Sequence, residues 1–173
     1  MKNKTLLILI LLFLSFCFIV FFKGLKNSNV YIPETILNKD LAVFSSKNLF
    51  TKEQISTDEI FINSEFYIIN IWASWCLPCK NEHKFLLQLS KNKSAKLIGL
   101  NYKDKRKNAI KFIKELGNPY SMIITDEDGT ISIKLGAYGI PETYIVDKNK
   151  KIIKKIIGPL NKKLLRDISL IIK

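Results

Sequence analysis

Apolar and polar positions change their period several times along this chain, and each change marks an element. Residues Leu6 to Phe22 are apolar except for Ser15 and Cys17 and carry no charge. As a helix this run rises about 25 Å, slightly short of a bilayer core, and flanking residues with snorkelling lysines extend it. From Gly24 to about Leu37 the residues are mixed and polar, with Pro33 and several Asn, the composition of a spacer. Leu41 to Phe44 and a hairpin-like region ending at Phe61 then precede a continuous β-branched and aromatic run, Phe66-Tyr67-Ile68-Ile69-Asn70-Ile71-Trp72, which predicts a core strand. The spacing predicts a helix over Leu77–Asn92, a strand over Lys96–Tyr102, and a helix over Lys105–Leu116 stopped by Gly117 and Pro119. A short strand Ser121–Thr125, a turn Asp126-Glu127-Asp128-Gly129 and a short helical piece Ile131–Leu135 follow. Two strands, Thr143–Asp147 and Lys151–Gly158, are joined by the polar turn Asp147-Lys148-Asn149-Lys150, and a helix capped by Asn161 closes the chain.

This order of elements is that of one α/β domain. At 173 residues there is room for one ordinary core and no need of a second. The expected division is 1–4 as an N-terminal tail, 5–23 as a transmembrane signal-anchor, 24–40 as a linker and 41–173 as the folded domain. A retained anchor is favoured over a cleaved signal because Val20-Phe21-Phe22-Lys23 lacks the small residues of a cleavage site. Phe16 is too bulky to precede a lipidated Cys17. Lys2 and Lys4 lie before the span and Lys23, Lys26 and Lys39 after it, so the positive-inside rule leaves its orientation undecided.

Charge changes the picture little. Basic residues outnumber acidic ones by 28 to 15, and leaving out Lys2, Lys4, Lys23 and Lys26 gives 24 against 15, a net of +9. The lysines are spread over every segment instead of being clustered with stacking aromatics, which argues against nucleic acid and for a solvated surface near anionic headgroups. The acids of Asp126–Asp128 are too few and wrongly spaced for a calcium loop.

The chemistry sits in Cys76-Leu77-Pro78-Cys79, between the core strand and the following helix. Orphan N–H groups and the macrodipole stabilise an anion at a helix start, so Cys76 is the candidate nucleophile with a lowered thiol pKa. Cys79, one turn on and on the same face, is placed to resolve a mixed disulfide. Haem attachment wants His directly after the second Cys, where Lys80 stands; a tetrahedral zinc site wants four ligands, and the pair has only His83 beside it. Copper held by Cys76, Cys79 and His83 stays open as an alternative. Peroxidase chemistry fits less well, since a peroxidatic cysteine needs no resolving partner at this spacing.

Trp72-Ala73-Ser74-Trp75-Cys76-Leu77-Pro78-Cys79 resembles a thioredoxin-fold active site, and Gly139-Ile140-Pro141-Glu142-Thr143 resembles the loop that faces it. Lys80-Asn81-Glu82-His83, Gly99-Leu100-Asn101-Tyr102-Lys103-Asp104 and Glu115-Leu116-Gly117-Asn118-Pro119-Tyr120 narrow the likeness. Together, over about Leu41 to Leu160, they resemble the CcmG/DsbE family, the membrane-anchored thioredoxin-like proteins of cytochrome c maturation. The resemblance implies a thioredoxin-like α/β fold, a central mixed sheet flanked by helices, on a single-pass bacterial inner-membrane helix with its tail in the cytoplasm and the domain in the periplasm. It implies a protein disulfide reductase for apocytochrome c, or for a maturation partner that holds it, re-reduced by a membrane carrier of the DsbD or CcdA type. Nothing in it calls for a cofactor or metal beyond the Cys76–Cys79 pair. A related anchored reductase for oxidase copper-site cysteines is the nearest alternative, and a copper metallochaperone the more distant one.

The same resemblance assigns roles. Pro141 is the cis-proline opposite the cysteines, leaving the Ile140 backbone to pair with an extended substrate segment. Glu82 matches an acid near the thiols and Glu142 the acid after the cis-proline, each tuning proton exchange with Cys79 or repelling wrong partners. Trp75 shields Cys76 and offers a flat apolar contact, while Trp72 is as readily core. Pro78 belongs to the dipeptide that tunes the redox potential. Tyr138 and Tyr144 flank the loop, with core packing the default for both and a place lining the groove the alternative.

Overall fold

The computed structural model describes residues 2–26 and 37–173; most of the expected linker lies outside the described residues. Two compact units result, 1–31 and 32–173. The first holds helix α1, Lys2–Lys26, in which Lys4–Gly24 is long and apolar enough to cross a membrane.

The second unit is a seven-stranded mixed sheet with helices on both faces. Its elements are β1 (Ser45–Asn48), β2 (Gln54–Ser56), α2 (Thr57–Ile60), β3 (Phe66–Trp72), α3 (Leu77–Leu89), β4 (Ala95–Tyr102), α4 (Arg106–Leu116), β5 (Met122–Asp126), α5 (Thr130–Lys134), β6 (Glu142–Asp147), β7 (Ile152–Ile157) and α6 (Lys162–Ile171). The strand order is β2-β1-β5-β4-β3-β6-β7, with β3, β4 and β5 parallel and the remaining pairs antiparallel. The thioredoxin-like arrangement expected from the sequence is the one observed. At the sheet edge the Asn38 and Leu41 N–H groups donate to the Ile152 and Lys150 carbonyls, so the last residues of the expected spacer are fastened to the domain.

A central strand buried on both faces reads as an unbroken apolar run, and β3 does so for that reason. Ile68 and Trp72 point into a core shared with Leu86 and Leu89 of α3, Phe112 and Ile113 of α4 and Ile168 of α6. Tyr67, Ile69 and Ile71 face the opposite core, with Ile60 of α2, Ile131 of α5, and Leu41 and Phe44. Asn70, a polar residue at 0% exposure in mid-strand, is the exception and belongs to the site described below.

Most boundaries fall within a residue of expectation, and two of the differences have clear local reasons. Helix α3 ends at Leu89 and not at Asn92, because the Lys91 and Asn92 N–H groups donate to Gln88 and Leu89, three residues back, and tighten the last turn. Asp126 is the last residue of β5 and not part of an exposed turn. It is buried, and its carboxylate accepts from the Ile131 N–H (3.0 Å) and from the Ser132 N–H (2.8 Å) and hydroxyl (2.6 Å), capping the first turn of α5. The expected cap of α6 stands: Asn161 Oδ1 accepts from the Lys163 and Leu164 N–H groups, each at 3.0 Å.

Trp72 stacks on Tyr120 at 5.7 Å between ring centroids and lies 5.0 Å from Phe112. Gly99 on β4 makes room for this stack, since a Cβ there would fall 2.8 Å from Trp72 Nε1 and 3.0 Å from the Tyr120 ring. Gly99→Ala is therefore expected to destabilise the domain by about 1–3 kcal/mol through overpacking. Urea unfolding measures it, and an unchanged midpoint would mean that the rings have space to move.

Candidate active site

The β3 to α3 connection carries the cysteines. Cys76 and Cys79 form a disulfide with their Cα atoms 5.3 Å apart. Cys76 is the N-cap of α3, in extended conformation, and its Sγ accepts the Cys79 N–H at 3.1 Å. A sulfur thus occupies the place where a helix start offers donors and positive potential, which favours the thiolate. Pro78 lies in the first turn, where its missing N–H leaves no intrahelical bond unmade. The loop before Cys76 is held from the β4 to α4 side. Asp104 accepts from the Ser74 N–H (2.6 Å), the Ser74 hydroxyl (2.8 Å) and the Asn101 amide (3.1 Å), and the Trp75 indole N–H donates to the Lys103 carbonyl at 3.1 Å. Asp104 was visible in the sequence only as part of a family-like stretch; its role depends on a contact 30 residues away.

Register brings the facing loop to the same place. Glu142 pairs with Ile71 across β6 and β3, so the residues just before β6 lie beside the end of β3 that leads to Cys76. The Ile140–Pro141 bond is cis, Pro141 is buried, and its carbonyl accepts the Gly158 N–H at 3.0 Å. Among the described residues Ile140 makes no backbone hydrogen bond. Both cysteines are almost fully buried, whereas Trp75 (59% exposed), Leu77 (67%) and Tyr138 (64%) form an apolar rim in the adjoining segments.

Residues 41–169 match the Redoxin family. The chain is 34% identical over 165 residues to the thiol:disulfide interchange protein DsbE of Escherichia coli, covering 93% of this chain and 89% of the relative. The chain belongs to the DsbE (CcmG) family of redoxins. It is 36% identical over 166 residues to DsbE of Haemophilus influenzae, covering 93% and 90% of the two chains. In fold it is similar to the crystal structure of a thiol:disulfide interchange protein DsbE from Chlorobium tepidum, with a TM-score of 0.68 and 19% identity over 79% of this chain and 98% of that one. The protein is accordingly a thiol–disulfide oxidoreductase, and its apolar N-terminal helix suits a membrane-anchored member of the family.

Two carboxylates are shut off from solvent, Glu82 on the side of the sheet that carries the cysteines and Glu142 on the other. Glu82, three residues beyond Cys79 on the buried side of α3, accepts from Asn70 Nδ2 at 2.9 Å and from the Leu160 N–H at 2.6 Å. Burial outweighs these two bonds and pushes its carboxyl up to about 7. Asn70 is oriented for this contact, since the Tyr120 hydroxyl donates to its Oδ1 at 2.8 Å while its Nδ2 also reaches Thr143 Oγ1 at 3.1 Å. Although it lies in the early turns of α3, Glu82 is fully buried against β3. Glu142 accepts from the Tyr138 and Gly139 N–H groups at 2.8 and 3.2 Å and from the Tyr144 hydroxyl at 2.9 Å, and it pairs with Lys155 Nζ at 3.0 Å.

Tyr144 is core, as expected, but Tyr138 is exposed, because the surface under its ring is the Lys155 ammonium, 4.4 Å from the centroid, and not an apolar floor. His83 faces away from the chemistry: its Nε2 meets the Gly117 carbonyl at 2.9 Å and its ring lies edge-on to Phe112. Among the described residues no three His, Cys, Asp or Glu side chains converge as metal ligands.

A carboxyl raised from 4.5 to about 7 keeps a proton in the native state that the unfolded chain releases. Its contribution to stability is complete below about pH 4.5 and is lost as pH rises through about 7, roughly 3 kcal/mol over that window. Urea unfolding of the oxidised protein across this range should show the decline, and Glu82→Gln should remove it; an equal decline in both would place the titration on another group.

Proposed function

We propose that this protein is a periplasmic disulfide reductase that keeps the cysteines of apocytochrome c, or of a partner holding it, in the thiol form for haem attachment. The observation that carries the chemistry is the alignment of a helix-capping Cys76 sulfur, a buried Cys79 and a buried Glu82 near neutrality, beside an unpaired Ile140 backbone. The DsbE relatives support the client class, and α1 supports a tether.

In the first step the Cys76 thiolate attacks one sulfur of the client disulfide. The client S–S bond breaks, a mixed disulfide forms, and the departing client thiolate takes a proton from water. The client chain lies extended along Ile140, ahead of Pro141, with Trp75 and Leu77 covering its apolar side chains. In the second step Cys79 gives its proton to the Glu82 carboxylate and attacks Cys76 Sγ. The bond between Cys76 and the client sulfur breaks, the Cys76–Cys79 disulfide forms, the second client sulfur leaves as a thiolate that takes a proton from water, and two electrons have passed to the client. A carboxyl with pKa about 7 is half ionised at neutral pH, so it both accepts this proton and returns it on re-reduction. No cofactor takes part beyond the dithiol, and a membrane dithiol carrier of the DsbD or CcdA type restores it.

The oxidase copper-site client leaves these steps unchanged, so trapping decides between clients. Cys79→Ala cannot resolve the first intermediate and is expected to accumulate a mixed disulfide at Cys76 whose partner mass spectrometry identifies as apocytochrome c or its holding protein. Capture of copper-site proteins alone would assign the other client. Full-length protein in the inner membrane should be digested by protease added from the periplasmic side only; digestion from the cytoplasmic side would reverse the topology.

A further inference from the structure

The site described so far leaves Lys155 without a part in the chemistry, although it is a lysine with its side chain wholly out of water. A buried ammonium is costly unless each of its three donors is used. Here one donates to the Gly136 carbonyl at 2.7 Å, one meets Glu142 Oε2 at 3.0 Å, and the head lies 4.4 Å from the centre of the Tyr138 ring and 5.4 Å from that of Tyr144. Gly136 begins the loop that leads to the cis-proline and Glu142 directly follows that proline. One ammonium therefore fastens both ends of the loop.

Glu142 completes the clamp from inside. Its Oε1 takes the Tyr138 and Gly139 N–H groups, which turns the two peptide donors next to Ile140 inward and away from the client side. Of the loop's N–H donors, that of Ile140 is the one left without a partner among the described residues. A buried ion pair adds little net stability compared with apolar packing and is better suited to fixing one arrangement among several. An edge that must receive an extended chain gains affinity by being held in its bound shape beforehand.

We propose that Lys155, through its ion pair with Glu142 and its bond to Gly136, is a positioning residue that sets the shape of the Gly136–Pro141 loop and thereby the affinity for extended polypeptide disulfides. This inference rests on the reading that clients lie along Ile140. Lys155 touches neither sulfur and acts only through the loop. Small disulfides, which have no backbone to lay on that edge, depend on it far less.

The test uses the full-length chain in detergent micelles, reduced with dithiothreitol and freed of it, and follows its oxidation in single turnover. The probes are an oxidised Cys-X-X-Cys-His peptide, insulin and glutathione disulfide. Lys155→Met leaves a buried carboxylate without its cation and strains folding, so the deciding variant is Lys155→Gln, which removes the charge and keeps a polar head beside Glu142. The half-saturating concentration of the peptide is expected to rise roughly tenfold or more in Lys155→Gln, while the second-order rate with glutathione disulfide falls by less than about threefold. An unchanged half-saturation for every polypeptide probe, or parallel losses with all three probes, would overturn the inference. If the wild type reduces insulin but not the Cys-X-X-Cys-His peptide, the cytochrome reading fails, and the comparison on insulin still decides the role of Lys155.

Discussion

A carboxylate removed from water must be given donors inside the protein or take up a proton, and this domain buries two of them, Glu82 on the cysteine side of the sheet and Glu142 on the other side. Glu82 meets the requirement partly. Two donors from β3 and the segment before α6 reach it, and the remaining desolvation appears as a carboxyl near neutrality. Glu142 has four donors, two backbone N–H groups, a phenol and an ammonium. The same residue type on the two faces of one sheet thus meets two outcomes: the underpartnered acid is raised toward neutrality, and the fully partnered one ties β6, β7 and the loop together.

Both arrangements bind separate parts of the chain together. Glu82 links α3 to β3 and to the start of α6, so the helix that presents Cys76 is anchored on the sheet at the level of the resolving Cys79. Glu142 with Lys155 links β6, β7 and the cis-proline loop. Asp104 supplies a third tie, from the end of β4 to the residues just before Cys76. The segment before Cys76, helix α3 and the cis-proline loop are each fixed by one of these ties, while the Trp75, Leu77 and Tyr138 side chains stay exposed. Geometry held in advance is what lets thiol exchange be directed to one partner.

Much of this was legible in the chain. The ends of β3 at Phe66 and Trp72 follow from the β-branched run, the Asn161 cap from its side chain, and the redox pair from its place between strand and helix. These are local properties, written in period, propensity and spacing. What escaped was set by contacts distant in sequence: Asp126 capping α5, Asn70 turned toward Glu82 by Tyr120, and Tyr138 left outside the core by the cation beneath it.

Lys154 and Lys155 show where the division falls. As a dipeptide in an apolar strand they are equivalent, and alternation alone would put one on each face. The register of β7 slips by one residue between Ile145 and Val146, with Ile153 as the extra residue, and this bulge reverses the parity of the strand. Without it Lys154 would lie on the side of Tyr144 and Glu142; with it Lys155 does, and it enters the interior. Sequence by itself determined the order of elements, the cysteine chemistry and the family, because each rests on neighbours along the chain. The tertiary structure alone decided that Glu82 is pushed toward neutrality and that Lys155 is the lysine buried against Gly136 and Glu142, because burial and partner count exist only once distant strands are in register.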